Sequence, residues 1–394
     1  MAYDAAKFDV LILGAGLQGA LLALRLAEKH PHLRLGVLEA QSAFAHPPTW
    51  SFHETDFSSD ALAWLRRIPH FYWDSYQVCF PKRERVLPSA YGSISGEAFY
   101  RWLRGQSVFR SFQLGAPVEA IQDLGHVTQV RLRDGRQLEA ELVFDARGTR
   151  PDTLLETGFQ KFVGLELEFE RPHGFRCPMV MDASVPQLDG FRFIYVLPWT
   201  STTALIEDTY YTDGPELNVL ELRNRIFQWL GDRNLRVKLE IREERGVLPI
   251  PMSTRFASEP GTFAVGMRGG FFQRTTGYSL PLAVQMAWTL GDLPRLSRES
   301  VHQAVSDFAL SKHSNFEYCE LLNRMIFKVA RPEQRYVMLE RFYGLREGLV
   351  QRFYANSLTL ADRIRILSGR PPVPLLPAFL EIGRSFFRGS AAPR

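Results

Sequence analysis

Phe8-Asp9-Val10-Leu11-Ile12-Leu13-Gly14-Ala15-Gly16-Leu17-Gln18-Gly19 decides the fold. An apolar run of strand length stops at a G-x-G-x-x-G turn. Apolar residues then recur at helical spacing through Leu21, Leu22, Leu24, Leu26 and Ala27, and a second apolar run, Leu35-Gly36-Val37-Leu38, ends on Glu39. Strand, glycine turn, helix, strand and acidic terminus together predict a βαβ dinucleotide site. Gly14 allows the tight turn, Gly16 admits a pyrophosphate to the backbone, and Gly19 lets the helix pack closely on the strands. The helix N-terminus supplies free N–H groups and the positive end of a dipole. Glu39 follows the glycines by about twenty residues, the spacing of a carboxylate that grips ribose hydroxyls, and it favours FAD or NAD over NADP.

Further along, Val127 to Arg133 alternates at period two into the turn Asp134-Gly135, and the return strand runs into Leu142-Val143-Phe144-Asp145-Ala146-Arg147-Gly148. An ordinary nicotinamide dehydrogenase has no need of this hairpin, which is a landmark of two-dinucleotide flavoproteins, so the expectation moves to FAD with Arg147 and Gly148 near it. Phe263-Ala264-Val265-Gly266 is a further strand ending at glycine. Gly277-Tyr278-Ser279-Leu280-Pro281 opens another helix, whose N-terminus suits the polar edge of a flavin.

The fold class expected is therefore α/β: a Rossmann-type FAD-binding domain (residues 1–80, 115–160 and 245–297) interleaved with a β-rich substrate domain. That second domain takes 81–114 and 161–244, with an antiparallel sheet that includes a hairpin around Trp199. Glu244 to Pro251 reads as an extended link between the two. A helical region, 298–394, closes the chain, and its apolar and basic tail from Phe379 to Arg388 suits either a membrane surface or a role as a docking tail. The aromatic stretch Trp64, Phe71, Tyr72, Trp73 and Tyr76 suits either core packing or an apolar channel.

Bulk properties narrow the function. With 45% hydrophobic and 23% charged residues the 394-residue chain is globular, and a net charge of +4 gives no case for nucleic acid. Cys79, Cys177 and Cys319 are scattered, and the nine histidines fall in no ligand pattern, so no disulfide framework and no metal site is expected. Neither a signal peptide nor an apolar run of about 18 residues is apparent. The expectation from these properties is a protein either soluble or peripheral to a membrane.

Glu207 and Asp208 lie on a predicted strand, Thr203 to Tyr210, where successive side chains point to opposite faces. They cannot serve one site without a bulge. The residues alone leave two readings open: exposed or salt-bridged carboxylates, or a buried carboxyl whose raised pKa fits it for general-acid work.

Taken together, Thr49-Trp50-Ser51-Phe52-His53, Tyr195-Val196-Leu197-Pro198, Leu205-Ile206-Glu207-Asp208-Thr209, Thr275-Thr276-Gly277-Tyr278-Ser279-Leu280-Pro281 and Glu340-Arg341-Phe342-Tyr343 resemble the bacterial lycopene β-cyclase family over nearly the whole chain. The resemblance implies a non-redox cyclisation of a linear carotenoid such as lycopene. It implies reduced FAD as the cofactor and NAD(P)H as the electron donor. It also implies Glu207 as the acid/base with Asp208 in reserve, and Trp50, Phe193 and Tyr195 as π faces toward a cation. Gln273-Arg274 stands where the family has His-Pro, and Arg274 is expected to help hold an anionic flavin. The competing readings are a flavin-dependent reductase or monooxygenase acting on a polyprenyl chain, and a prenyl-lipid binding protein on the same fold.

Overall fold

A computed structural model describes residues 6–44, 47–256 and 258–368. In chain order, β1 (Ala6–Leu13), α1 (Leu17–Lys29) and β2 (Leu35–Glu39) form the expected unit, with β1 and β2 parallel. There follow β3 (Trp50–His53), a short helical turn (Glu54–Asp56), α2 (Ser59–Leu65), β4 (Phe71–Trp73), β5 (Tyr76–Phe80), β6 (Arg83–Leu87), β7 (Tyr91–Ile94) and α3 (Gly96–Arg104). Next are β8 (Phe112–Leu114), the meander β9 (Val118–Asp123), β10 (Thr128–Leu132) and β11 (Gln137–Asp145), and the long β12 (Leu154–Phe169). The middle of the chain holds β13 (Met179–Asp182), β14 (Phe191–Pro198), β15 (Thr203–Thr212), α4 (Val219–Asp232) and β16 (Val237–Thr254). After β17 (Phe263–Ala264) come the helices α5 (Leu280–Gly291), α6 (Arg298–Arg324), α7 (Tyr336–Phe342), α8 (Glu347–Tyr354) and α9 (Leu360–Leu367).

Among the described residues three sheets form. The first runs β8-β2-β1-β11-β10-β9, with β17 also on β11. Its parallel centre is covered on both sides, which is why β1 is apolar at successive positions and does not alternate. Val10 and Ile12 face α1 and α5, while Leu11 and Leu13 face the β9–β11 meander. Helix α1 is buried from Leu17 to Leu26, and its Arg25 guanidinium lies 3.8 Å over the Trp288 ring of α5.

The second sheet, β16-β12-β15-β14-β13-β5-β6, has two covers. Val163, Leu165, Ile206 and Tyr210 pack with α4, whereas Phe193, Leu205 and Tyr211 pack with the C-terminal helices α6 to α8. Period-two alternation along β12 and β15 thus sorts side chains between a helix-covered face and an inner face. The small sheet β3-β7-β4 carries Trp50 and Tyr91 to the edge of that inner face.

Three expected boundaries shift. The β5–β6 hairpin lies in the second sheet, because strands joined by a two-residue turn pair with each other and β5 also pairs with β13. Helix α3 and β8 belong with the first sheet: Phe99 and Leu103 enter its core and β8 pairs with β2. Residues 237–254 form a strand and not a link; Pro249 and Pro251 are tolerated because β16 is an edge strand. The tail from Phe379 to Arg388 lies outside the described residues. Among those described, no helix is long and apolar enough to cross a membrane.

Candidate active site

The turn after β1 is built from close backbone contacts. Gly14 has φ +95°, and a Cβ there would sit 2.8 Å from the Ala146 carbonyl oxygen. A Cβ on Gly19 would sit 2.0 Å from the Gly14 carbonyl oxygen, so only glycine allows this approach of α1. Around Gly16, by contrast, a Cβ would meet nothing within 4 Å. No side chain caps the α1 N-terminus and its first turn has no acidic residue, so its N–H groups have no side-chain acceptor from a cap and its dipole no carboxylate in the first turn. Glu39 closes the other side: Oε2 accepts from the Ala15 N–H at 2.9 Å and Oε1 from the Gln41 N–H at 3.0 Å. Gly148 is left-handed at φ +85°, again with open space where a Cβ would lie. These residues fit a dinucleotide: donors for a pyrophosphate, a carboxylate for ribose, and backbone without side chains where it must approach. The Arg147 guanidinium does not join them. It pairs with Asp145 at 2.7 Å and Glu259 at 3.2 Å in a network that includes Arg268, so only its backbone stands beside Gly14.

A cavity of about 260 Å³ opens between the first sheet's loops and the inner face of the second. Trp50, Ser51 and Tyr91 form one wall; Phe162, Phe193, Tyr195, Glu207, Tyr211 and Glu244 rise from the sheet. The stretch Thr276 to Leu280, including Gly277 and Tyr278, completes it. Gly277 is left-handed (φ +70°), and no side chain caps the α5 N-terminus beyond it. The expected cavity residues Trp50, Phe193 and Tyr195 therefore come together with Glu207, Gly277 and Tyr278. Tyr195 is fixed by hydrogen bonds between its hydroxyl and those of Ser51 (2.7 Å) and Tyr91 (3.0 Å).

Glu207 is buried, and its Oε1 accepts a hydrogen bond from the Thr209 hydroxyl at 2.5 Å. Burial, and then the nearby Glu244 carboxylate, push its carboxyl up to about 8 against the opposing effect of Thr209. A protonated carboxyl on an aromatic floor can deliver a proton to an apolar substrate. Asp208, one residue on, points to the opposite face. There Arg192 grips it with Nε at 2.9 Å and Nη2 at 2.8 Å, and both side chains are buried. The bidentate pair keeps Asp208 out of the cavity, so its expected reserve role does not hold.

Arg274 is a second correction. Its guanidinium pairs with Glu320 of α6 and lies over the rings of Phe316 (4.3 Å) and Phe256 (5.3 Å), away from the cavity lining. Gln273 is fully buried, and its Oε1 accepts from the N–H groups of Thr275 (2.7 Å) and Thr276 (2.9 Å). The Gln-Arg pair thus shapes the turn that leads into Gly277.

Sequence reasoning missed two acids. Glu244 of β16 lines the cavity and is held by Arg242 and Thr49. Asp56 is buried behind Tyr278: its Oδ2 accepts from the Tyr278 hydroxyl at 2.5 Å and from the His53 N–H at 2.9 Å, and burial pushes it up to about 7. Asp56 has no pattern to betray it. Glu244 had a faint signal in Gly164, a glycine inside an apolar strand, which often marks close approach by another group.

Comparison with known proteins adds the following. The family described as lycopene cyclase protein matches residues 9–379. A lycopene beta-cyclase from Pantoea ananas is 38% identical, covering 95% of this chain and 98% of its own. A lycopene beta-cyclase from Paracoccus sp. (strain N81106 / MBIC 01143) is 40% identical over 93% and 95%. Among solved structures, a geranylgeranyl bacteriochlorophyll reductase-like protein from Thermoplasma acidophilum superposes with a TM-score of 0.63 at 13% identity, over 97% of this chain and 100% of the other. A probable FAD-dependent monooxygenase from Pseudomonas aeruginosa gives 0.59 at 16% identity, over 84% and 98%. At these identities the structural likeness concerns the fold.

Proposed function

The chain belongs to the lycopene cyclase family, and from that premise we propose that it closes β-ionone rings on lycopene by proton transfer from Glu207, without net oxidation or reduction. It is a lycopene β-cyclase of carotenoid biosynthesis and a flavoprotein of the FAD-binding Rossmann class. The observation that carries the proton-transfer reading is Glu207: a buried carboxyl on the floor of an aromatic cavity beside the Gly277 turn, where burial and the facing Glu244 favour its acid form.

Glu207 breaks its O–H bond and gives the proton to C2 of the terminal C1=C2 double bond, which leaves a tertiary cation at C1. The electron pair of C5=C6 forms the C1–C6 bond and moves the cation to C5. Loss of the C6 proton to the Glu207 carboxylate restores the acid and leaves the C5=C6 bond of the ring, so substrate and product are isomers. Trp50, Phe193 and Tyr195 exclude water and offer π faces to the cation. Gly14, Gly16, Gly19, Glu39, the Gly148 backbone and the α5 N-terminus would hold FAD, whose reduced form supplies negative charge near a developing cation. NAD(P)H is the donor proposed to keep the flavin reduced.

Because the substrate partitions into bilayers, we place the enzyme at the cytoplasmic membrane surface as a peripheral protein. Flotation with anionic liposomes checks this: co-migration is expected, and protein left wholly at the bottom of the gradient counts against it. The activity is tested in a lycopene-accumulating bacterial host. Pigment of unchanged mass with a blue-shifted spectrum is expected. A gain of hydrogen would point to a reductase, and a gain of oxygen to a monooxygenase.

A further inference from the structure

Three strands meet below the cavity in a specific register. On β12, Gly164 pairs with Glu207 of β15 on one side and with Glu244 of β16 on the other. Both glutamates therefore rise on the same face, two strands apart, with a glycine between them. A Cβ on Gly164 would stand 3.1 Å from Glu244 Cγ and 3.4 Å from Glu207 Oε2. The missing side chain is the space across which the two carboxyls face each other.

Their partners differ. Glu207 has a hydroxyl, Thr209. Glu244 has a guanidinium: Arg242 Nη1 donates to its Oε2 at 2.7 Å, and the Thr49 hydroxyl donates to the same oxygen at 2.7 Å. Arg242 is itself pinned by Glu166 at 2.8 Å and donates to Thr49 at 3.0 Å. Two carboxyls in one water-poor cavity cannot both ionise cheaply, and the cation on one side decides which of them carries the charge.

We infer that Glu244 is a positioning residue of this site: an ion-paired carboxylate set across Gly164 from Glu207, which keeps the catalytic proton on Glu207 until substrate takes it. The remaining groups facing Glu207 do not replace it. Tyr195 of β14 and Tyr91 of β7 are neutral hydroxyls bonded to each other, and Asp208 faces away into Arg192. Burial is the largest cause of the raised Glu207 carboxyl, Glu244 is the next, and Arg242 opposes them more weakly.

The inference rests on Glu207 as the proton donor, and the test separates the two claims. Isotope-edited infrared spectra of the FAD-loaded enzyme follow the protonated carboxyl against pH, alongside turnover. Glu207→Gln should remove the titrating signal and the activity; an active variant would overturn the donor assignment itself. In Glu244→Gln the signal's midpoint, and the pH at which turnover falls, should both move down by about one pH unit. An unmoved midpoint, with Glu207→Gln inactive, overturns the role of Glu244 alone. Should Glu244→Gln fail to fold because Arg242 loses a partner, the double variant Glu244→Gln/Arg242→Gln removes both charges. Its midpoint should still lie below that of the parent, since Glu244 outweighs Arg242; a midpoint at or above the parent's overturns the inference.

Discussion

Glu207 and Asp208 are adjacent in sequence and opposite in consequence. One is a buried carboxyl with a hydroxyl for company, the other a buried carboxylate locked to an arginine. Replacing Glu207 by Gln should keep the fold and lower kcat by roughly 10²–10⁴-fold, the usual weight of a positioned general acid. Asp208→Asn should behave differently. Leaving Arg192 buried with its charge uncompensated costs about 3–5 kcal/mol of stability, and the folded fraction should turn over normally. Chemical denaturation combined with specific activity distinguishes the two outcomes. Strand alternation made this division legible in the sequence, because side chains one apart on β15 cannot share a face. The choice of which carboxylate faces the cavity was not legible from alternation alone. It depends on how β15 sits between α4 and the C-terminal helices, and only the family resemblance pointed to Glu207.

At the scale of elements, the β1–α1–β2 unit was readable because each of its constraints is local: apolar strand, glycine turn, apolar helix, acidic end. Gly19→Ala tests it. The added methyl collides with the Gly14 carbonyl oxygen, so α1 must move off the strands and its N-terminus with it. Purified protein should lose most of its FAD while the second sheet stays folded; full flavin content would contradict the packing argument. The Gln273-Arg274 turn gives the converse case. Arg274→Ala strips Glu320 of its guanidinium and should destabilise the fold by about 3 kcal/mol with flavin content unchanged in the folded fraction. Strand β16 escaped the sequence reading for a physical reason. Pro249 and Pro251 deny it a regular ladder, yet an edge strand needs hydrogen bonds on one side only, and β12 supplies them.

For the whole molecule, the cavity exists because two sheets with separate cores are joined by long strands. Residues from β3, β7, β12, β14, β15, β16 and the Gly277 turn reach one space, though they are spread over more than two hundred positions. No local pattern announces such convergence, which is why Asp56 was invisible and Glu244 left only the faint signal of Gly164, while the glycine motif was plain. Burying Asp56 has a global cost that depends on pH. Its carboxyl lies at about 7 in the folded protein against 3.8 as a free side chain, so its favourable contribution is complete below about pH 4 and is lost as pH rises toward 7. Asp56→Asn should flatten that decline. Relative to the parent, its unfolding free energy should improve by roughly 4 kcal/mol at most between pH 4 and 8, read from denaturation at several pH values. Parallel pH curves for parent and variant would remove Asp56 from the account.

The central claim is that a proton from Glu207 starts an isomerisation. Anaerobic turnover of lycopene by the FAD-loaded, reduced enzyme in D₂O, with mass spectrometry of the cyclic product, tests it most directly. The Glu207 proton exchanges with solvent, so each ring closed should carry one deuterium at C2 in place of a hydrogen lost from C6, and the same reaction in H₂O should give a product isomeric with lycopene. Rings formed without deuterium, or a product in H₂O heavier by added hydrogen or oxygen, would contradict it.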